Sequence, residues 1–504
     1  RFADLVGRYP KVVSRLKVTS PTALRSALRR RAESRTTRQA VGGLFERGPE
    51  FSARVVLNAW QGAVCGALMV ALPLAFISDP AGSLLAIHYV STFFFLACVG
   101  LRFAAIASAF PRRTNAVVSL PYGRKPVYSV LVALYKEADI VPGLLAALDR
   151  IVWPRSRLQV MLVCERDDRE TIEAIRRAGA PPHVEIVEVP FSLPRTKPKA
   201  LSYAMALARG DLIVLYDAED EPHPNQLVEA WQKFSRSPPG MACLQAPLEI
   251  IDSGGGFLSR MFAFEYRALF GGLLPWLARH GCLLPLGGTS NHFRRTALEK
   301  VGGWDPFNVT EDADLGVRLA RFGYRTEMLS LPTREPPPPD LAAWLPQRTR
   351  WLKGWLQTWL VHMRQPLRLA RELGPNSFIA AQILFAGMVV SALVHPLLVV
   401  TLLTIVLYLA AGGIPAESQS VLLLIDVVNI ACGYASFLLL GRQTLRASER
   451  RGFWKIVLFT PAYWLMVSYA AWRALIELWR RPHHWNKTPH PQHAMSAMQA
   501  TEQA

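Results

Sequence analysis

Apolar residues along the chain fall into two kinds of run. Long runs at about 55–77, 84–107, 378–411 (interrupted by Pro396), 419–440 and 456–478 match the roughly 20 residues that carry a helix across a bilayer core. Short runs are confined to about 115–365 and alternate with amphipathic stretches, which predicts strands buried in a mostly parallel sheet with helices between them. The candidate strands are Val127 to Leu134, Gln159 to Cys164, Val184 to Val189 and Leu212 to Tyr216, with a helix over Thr196 to Ala208. The predicted class is α/β and Rossmann-like, and in such sheets ligands bind at the C-terminal ends of the strands.

This pattern divides the chain into a basic cytosolic segment (1–54), a two-helix membrane hairpin (55–110), the α/β domain (115–365), a second set of membrane or interfacial helices (366–480) and a cytosolic tail (481–504). Residues 1–54 carry thirteen Lys and Arg against four acids, with a patch at Arg25, Arg29, Arg30, Arg31 and Arg35; the positive-inside rule makes it cytosolic and lipid-facing. Arg112 and Arg113 after the hairpin keep the α/β domain cytosolic too. The basic loop at 442–451 fits the same side, but a further crossing by 456–478 would export Arg480, Arg481 and Lys487, so that stretch is expected to be re-entrant or interfacial. Stretches 256–280 and 341–371 read as interfacial amphipathic helices, and 332–340, rich in proline, as a stiff connector. The chain opens on Arg1 without a secretory signal, as a fragment would.

Composition narrows the function. A hydrophobic share of 51% excludes disorder, and a charged share of 19% lies below the roughly 25% of soluble domains. The net charge of +19 sits at the membrane flanks rather than on one groove-fitting face, which argues against nucleic acid. Six cysteines stand singly, without metal or redox spacing, and read as inert thiols; His483, His484, His490 and His493 in the tail lack ligand geometry.

The chemistry starts at residues 211–222, where the apolar strand ends in Asp217, Glu219, Asp220 and Glu221. Like charges gathered at one strand end repel unless a cation sits among them, and hard oxygen donors select Mg²⁺ or Mn²⁺. Taken alone, such a cluster is also an ordinary solvated turn. Thr310, Glu311 and Asp312 follow Gly-Gly-Trp-Asp and open a helix, with Thr310 placed as its N-cap. Gln347, Arg348, Thr349, Arg350 and Trp351 open a Trp-rich helix that a membrane-interface belt would also explain.

In this order, between membrane spans, the three motifs resemble the membrane-embedded family 2 glycosyltransferases of the cellulose synthase branch, whose pattern is Asp-X-Asp, Thr-Glu-Asp and Gln-X-X-Arg-Trp. The resemblance covers about 120–365 and implies a GT-A domain inserted between transmembrane helices. Carried over by position, it places Tyr135, Glu137, Glu165, Asp167, Lys199, Asp217 and Arg350 around the nucleotide. Asp217, Glu219 and Asp220 become metal ligands, and Asp312, Glu311 and Arg350 catalytic groups. Gln347 and Trp351, with Asn291 and His292 of the 287–295 loop, fall on the acceptor side. Glu165 and Asp167 stand where relatives show Asp-Asp-Gly, Ser202 replaces the usual Asn, and the 287–295 loop also reads as a simple tight turn.

The resemblance implies transfer from a nucleotide sugar, UDP-linked, to a growing β-linked polysaccharide. Its partners are the donor, a saccharide acceptor chain, the bilayer and export subunits, in a bacterial inner membrane with the catalytic domain cytosolic. In related enzymes the C-terminal tail gates the nucleotide, which would bring Lys487 and Thr488 near phosphate. A transferase loading monosaccharide onto polyprenyl phosphate would share the donor site, and a non-catalytic membrane scaffold or transporter is the rival from another class.

Overall fold

The computed structural model describes residues 6, 8, 9, 20–107, 125–251, 256–413, 417–447 and 449–484. Arg112, Arg113, the Arg25 side chain, Lys487, Thr488, His490 and His493 lie outside the described residues. A seven-stranded sheet is built from β1 (Tyr128–Leu134), β2 (Leu158–Glu165), β3 (Val184–Val189), β4 (Leu212–Tyr216), β6 (Met241–Gln245), β8 (Asn291–Arg294) and β9 (Arg325–Met328), in the order β3-β2-β1-β4-β8-β6-β9. Strands β1 to β4 run parallel, β8 pairs antiparallel with both β4 and β6, and β6 runs parallel to β9. Every residue of β2 and β4 is buried, and the uninterrupted apolar sequence of β4 is what a strand covered on both faces demands. A smaller sheet joins β5 (Glu221–Pro222), β10 (Thr333–Glu335) and β7 (Leu248–Ile250) in the order β5-β10-β7.

Register decides what meets at the sheet's end. Leu134 pairs with Cys164 and Val132 with Tyr216. Tyr135 and Glu165, which follow the first pair, therefore emerge side by side, and Asp217, which follows the second, emerges at the same end level with Ala133.

Among the described residues, four helices are long and apolar enough to cross a membrane: Ala59–Ser78, Pro80–Ala107, Pro366–Ala410 and Ser420–Thr444. Phe453–Arg480 is not among them. Pro396 lies inside helix Met388–Ala410 without breaking it; the irregularities of this stretch are the left-handed Gly374 and a π turn at Gln382–Gly387.

Packing adds detail to three expectations. The basic helix Pro21–Arg47 docks on the catalytic domain: Arg29 pairs with Glu185 at 2.8 Å and Glu33 with Arg166 at 2.6 Å. The proline-rich connector contains β10, whose pairing with β5 and β7 makes it part of a sheet. Helices Phe257–Ala268 and Leu341–His362 are packed into one apolar core that includes Phe262, Phe264, Trp344, Leu384, Phe385, Phe437 and Tyr463. That shared core locks the catalytic domain onto the ends of the spans.

Candidate active site

A cavity of about 250 Å³ opens at the C-terminal ends of β1, β2 and β4. Tyr135, Glu137, Glu165, Asp217, Glu219, Glu311, Asp312, Gln347, Arg350 and Trp351 line it. Residues separated by more than 200 positions in sequence thus surround one space, delivered by strand ends on one side and by helices Glu311–Arg321 and Leu341–His362 on the other.

On the acidic wall, Lys197 pairs with Asp217 and also donates to the Gly288 carbonyl at 2.9 Å. Burial opposes the Lys197 charge, but Asp217, Glu311 and Asp312 outweigh it and hold its pKa above the ordinary lysine value. Asp220 is turned into the protein: its Oδ2 accepts from the backbone N–H of Asp217 at 2.7 Å and from the Thr289 hydroxyl. It shapes the turn and leaves Asp217 and Glu219 facing the cavity.

Opposite them, Glu311 is buried and Asp312 half-buried at the N-terminus of their helix. Burial, then the neighbouring Asp312 charge, pushes Glu311 up to about 7. Asp312 is likewise raised by burial, with Lys197 and Arg350 pulling the other way. A carboxylate poised near neutrality is what a general base needs. Thr310 occupies the N-cap position, but its side chain caps nothing; its backbone N–H is held by Asn308 Oδ1 at 3.0 Å. What places this helix is Gly354, across which the Leu341–His362 helix closes on Thr310: a Cβ there would lie 2.4 Å from Thr310 Oγ1.

Asp167, Lys199, Asp220, Asn291 and His292 do not line the cavity. Asp167 is exposed and pairs with Arg195, whose other nitrogen donates to the Tyr135 hydroxyl at 2.9 Å. Lys199 is fully buried against Glu165 at 2.6 Å, and burial raises the carboxyl and lowers the ammonium, each toward neutrality. Asn291 donates to the Gly287 carbonyl at 2.6 Å and braces the loop from behind. His292 sits inside the sheet between the Tyr128 hydroxyl (2.6 Å) and Gln226 Oε1 (3.1 Å), and burial pushes it down to about 3, so it is a neutral core histidine.

Residues not singled out from sequence also line the space: Arg195, Lys197, Thr289, Tyr266 and Glu335. Lys197 was legible as one of two lysines in Arg-Thr-Lys-Pro-Lys, but nothing in the string says which faces inward. Glu335 had no signal, since it arrives on a short strand within a proline-rich stretch.

The donor set fits a hard divalent cation. After burial, Asp217 and Glu219 are the main groups that raise Asp220, and these three raise Glu335 well above its usual range. Asp220 Oδ1 and Glu335 Oε1 are buried without a hydrogen-bond partner. Among the described residues, no three His, Cys, Asp or Glu side chains converge closely enough to hold an ion alone. Diphosphate oxygens would have to complete the shell.

Residues 212–414 match the family model "Glycosyl transferase family group 2". The chain is 27% identical over 313 residues to the beta-monoglucosyldiacylglycerol synthase of Synechocystis sp., covering 60% of this chain and 64% of the relative. It is 28% identical over 275 residues to the UDP-forming cellulose synthase catalytic subunit of Pseudomonas fluorescens, covering 52% and 36%. The chain spans about half the length of the curated relatives it matches. In fold it is similar to the mannosyltransferase PcManGT from Pyrobaculum calidifontis, solved with GDP-Man and Mn²⁺, with a TM-score of 0.53 and 19% identity over 79% of this chain and 99% of that one. A domain of GT-A fold thus lies between helices apolar enough to span a membrane, residues 212–414 match the family 2 glycosyltransferase model, and the chain's relatives include the cellulose synthase catalytic subunit.

Proposed function

We propose that the protein moves a sugar, with inversion, from a UDP-linked donor to a growing β-linked saccharide at a bacterial inner membrane, with the catalytic domain cytosolic and transfer coupled to export. The observation that carries this reading is the single cavity that brings Asp217 and Glu219, Asp312, and Gln347, Arg350 and Trp351 to one space beneath the membrane helices.

In this reading Tyr135 and Glu137 bind the base and ribose, while Glu165, tied to Lys199, closes the floor; Arg195 anchors Asp167 at the rim. Asp217 and Glu219 would hold Mg²⁺ or Mn²⁺, which when bound neutralises charge on the leaving diphosphate. Lys197 supplies a fixed positive charge there and Arg350 a second, acting where negative charge develops. Asp312 takes the proton of the acceptor hydroxyl as that oxygen attacks the anomeric carbon from the face opposite the diphosphate. One displacement inverts the configuration, so an α-linked donor yields a β-linked product. Trp351 offers a flat face for the acceptor ring, and its own orientation is held by Phe262, stacked at 6.0 Å, and by the Arg348 guanidinium 4.9 Å from its ring centre.

The test is incorporation of radiolabelled sugar from a panel of nucleotide sugars with Mg²⁺ or Mn²⁺, the product being resolved by linkage-specific hydrolases. Asp312→Asn is expected to lower transfer by about 10²–10⁴-fold while retaining donor binding. Wild-type turnover in that variant removes the base assignment.

A further inference from the structure

A second cavity, about 210 Å³, lies behind the first. Tyr266, Leu269, Trp351 and Trp355 line both and form the wall between them. The rest of its lining comes from the spans, the last helix and the helices over 257–273 and 341–362, and is apolar at Phe95, Leu273, Met388, Phe437, Leu440 and Trp464.

Its charged residues do not balance. Arg348 holds both oxygens of Glu265, at 2.7 and 2.6 Å, and the Tyr463 hydroxyl donates to the same carboxylate at 2.6 Å. Glu265 is therefore fully engaged. Arg102, on span Pro80–Ala107, also lines the cavity and makes no hydrogen bond or ion pair among the described residues. Its guanidinium lies over the Trp464 ring, whose centre is 5.8 Å away, and is within electrostatic reach of Glu265. Besides His395, the titratable lining holds two cations, Arg102 and Arg348, against one anion, Glu265. An arginine within a spanning helix is costly unless an anion or water meets it, and by default marks a functional site.

Depth points to the source of that anion. Leu440, which lines the cavity with Arg102, lies four residues before the end of its helix at Thr444, about 6 Å at 1.5 Å per residue. That end abuts the catalytic domain through the shared core, which also takes in Ala105 of the Arg102 helix. That is headgroup depth in a bilayer whose polar zones flank a hydrocarbon core of about 30 Å. At roughly 30 Å³ per water-sized group the cavity takes about seven such groups, a phosphate and the first carbons of a chain but not a whole lipid. A guanidinium fork matches phosphate oxygens.

We propose that this cavity is the seat of a phosphate-bearing lipid, its headgroup held by Arg102 against the wall that carries Trp351. The seat goes beyond the transfer reading and does not depend on it.

The test uses the full chain in phosphatidylcholine nanodiscs doped with a phosphatidic acid that carries a photoreactive diazirine in one chain. Labelling is expected on peptides that contain Phe95, Leu273 or Phe437, competed by unlabelled phosphatidic acid but by neither diacylglycerol nor inorganic phosphate. Arg102→Gln is expected to reduce it by about tenfold or more, the loss of one charge-assisted contact, and Arg102→Lys to retain most of it. Equal labelling by a photoreactive diacylglycerol, labelling outside these peptides, or undiminished labelling of Arg102→Gln overturns the proposal. If Arg102→Gln does not fold, the competition series and Arg102→Lys decide. Loss of transfer in Asp312→Asn bears on the catalytic reading alone and leaves this labelling in place.

Discussion

Gly354 offers the sharpest test of how the catalytic helix is held. It lies two turns along from the start of the Gln347 motif, and there Leu341–His362 presses on Thr310. A Cβ added at Gly354 would lie 2.4 Å from both Oγ1 and Cγ2 of Thr310 and 2.8 Å from its Cβ, distances at which backbone has to move. Asp312 is two residues further on, in the first turn of the helix that Thr310 opens, so a shift of Thr310 carries to it. Overpacking of this kind costs about 1–3 kcal/mol, and alanine returns about 1 kcal/mol through its better helix propensity. Stability of Gly354→Ala should thus fall by no more than about 2 kcal/mol. Activity should fall further, because a displacement of about 1 Å at the base costs on the order of 100-fold. The assay pairs kcat for sugar incorporation with thermal unfolding of the detergent-solubilised protein. Adding Thr310→Ala removes the two nearest atoms and should restore part of the rate, a coupling readable as a double-mutant cycle. Wild-type kcat in Gly354→Ala, or no recovery in the double variant, refutes the argument.

Two further outcomes follow from the same geometry. Because burial and Asp312 push Glu311 up to about 7, activity should rise with pH through an acid limb near neutrality, and Glu311→Gln should move that limb to lower pH by removing a like charge from beside Asp312; an unmoved limb contradicts this. The linked stability effect has the opposite sense: a carboxyl raised from 4.5 to about 7 on folding favours the folded state below about 4.5, and that advantage is lost as pH climbs to about 7, so Glu311→Gln should flatten the fall in Tm over that window. His292→Ala, which strips partners from the buried Tyr128 hydroxyl and Gln226, should cost about 1–3 kcal/mol of stability while leaving nucleotide affinity near wild type; a selective loss of acceptor affinity would return this residue to the site.

Much of this was legible along the chain because it depends only on local pattern. A fully apolar run such as Leu212 to Tyr216 can satisfy its backbone and bury both faces only inside a sheet, and runs of 20 or more apolar residues can satisfy theirs only as spanning helices. The acidic end of β4 and the Asp312 and Arg350 motifs were visible as charge where packing alone has no use for it. Facing was not visible. Lys197 and Lys199 stand two residues apart on one helix, about 200° around its axis, and the neighbouring strands decide that Lys197 reaches Asp217 while Lys199 is sealed against Glu165. Asp220 and Glu219 are adjacent, yet Thr289 and the turn's own backbone capture Asp220 alone. Asn291 and His292 begin a strand whose alternation sends the histidine into the core, and Glu335 reaches the cavity only because β10 pairs with β7, some 85 positions earlier. Hydrophobic periodicity specifies which elements form; the direction of a single side chain is set by what packs against it, and those neighbours are distant in sequence.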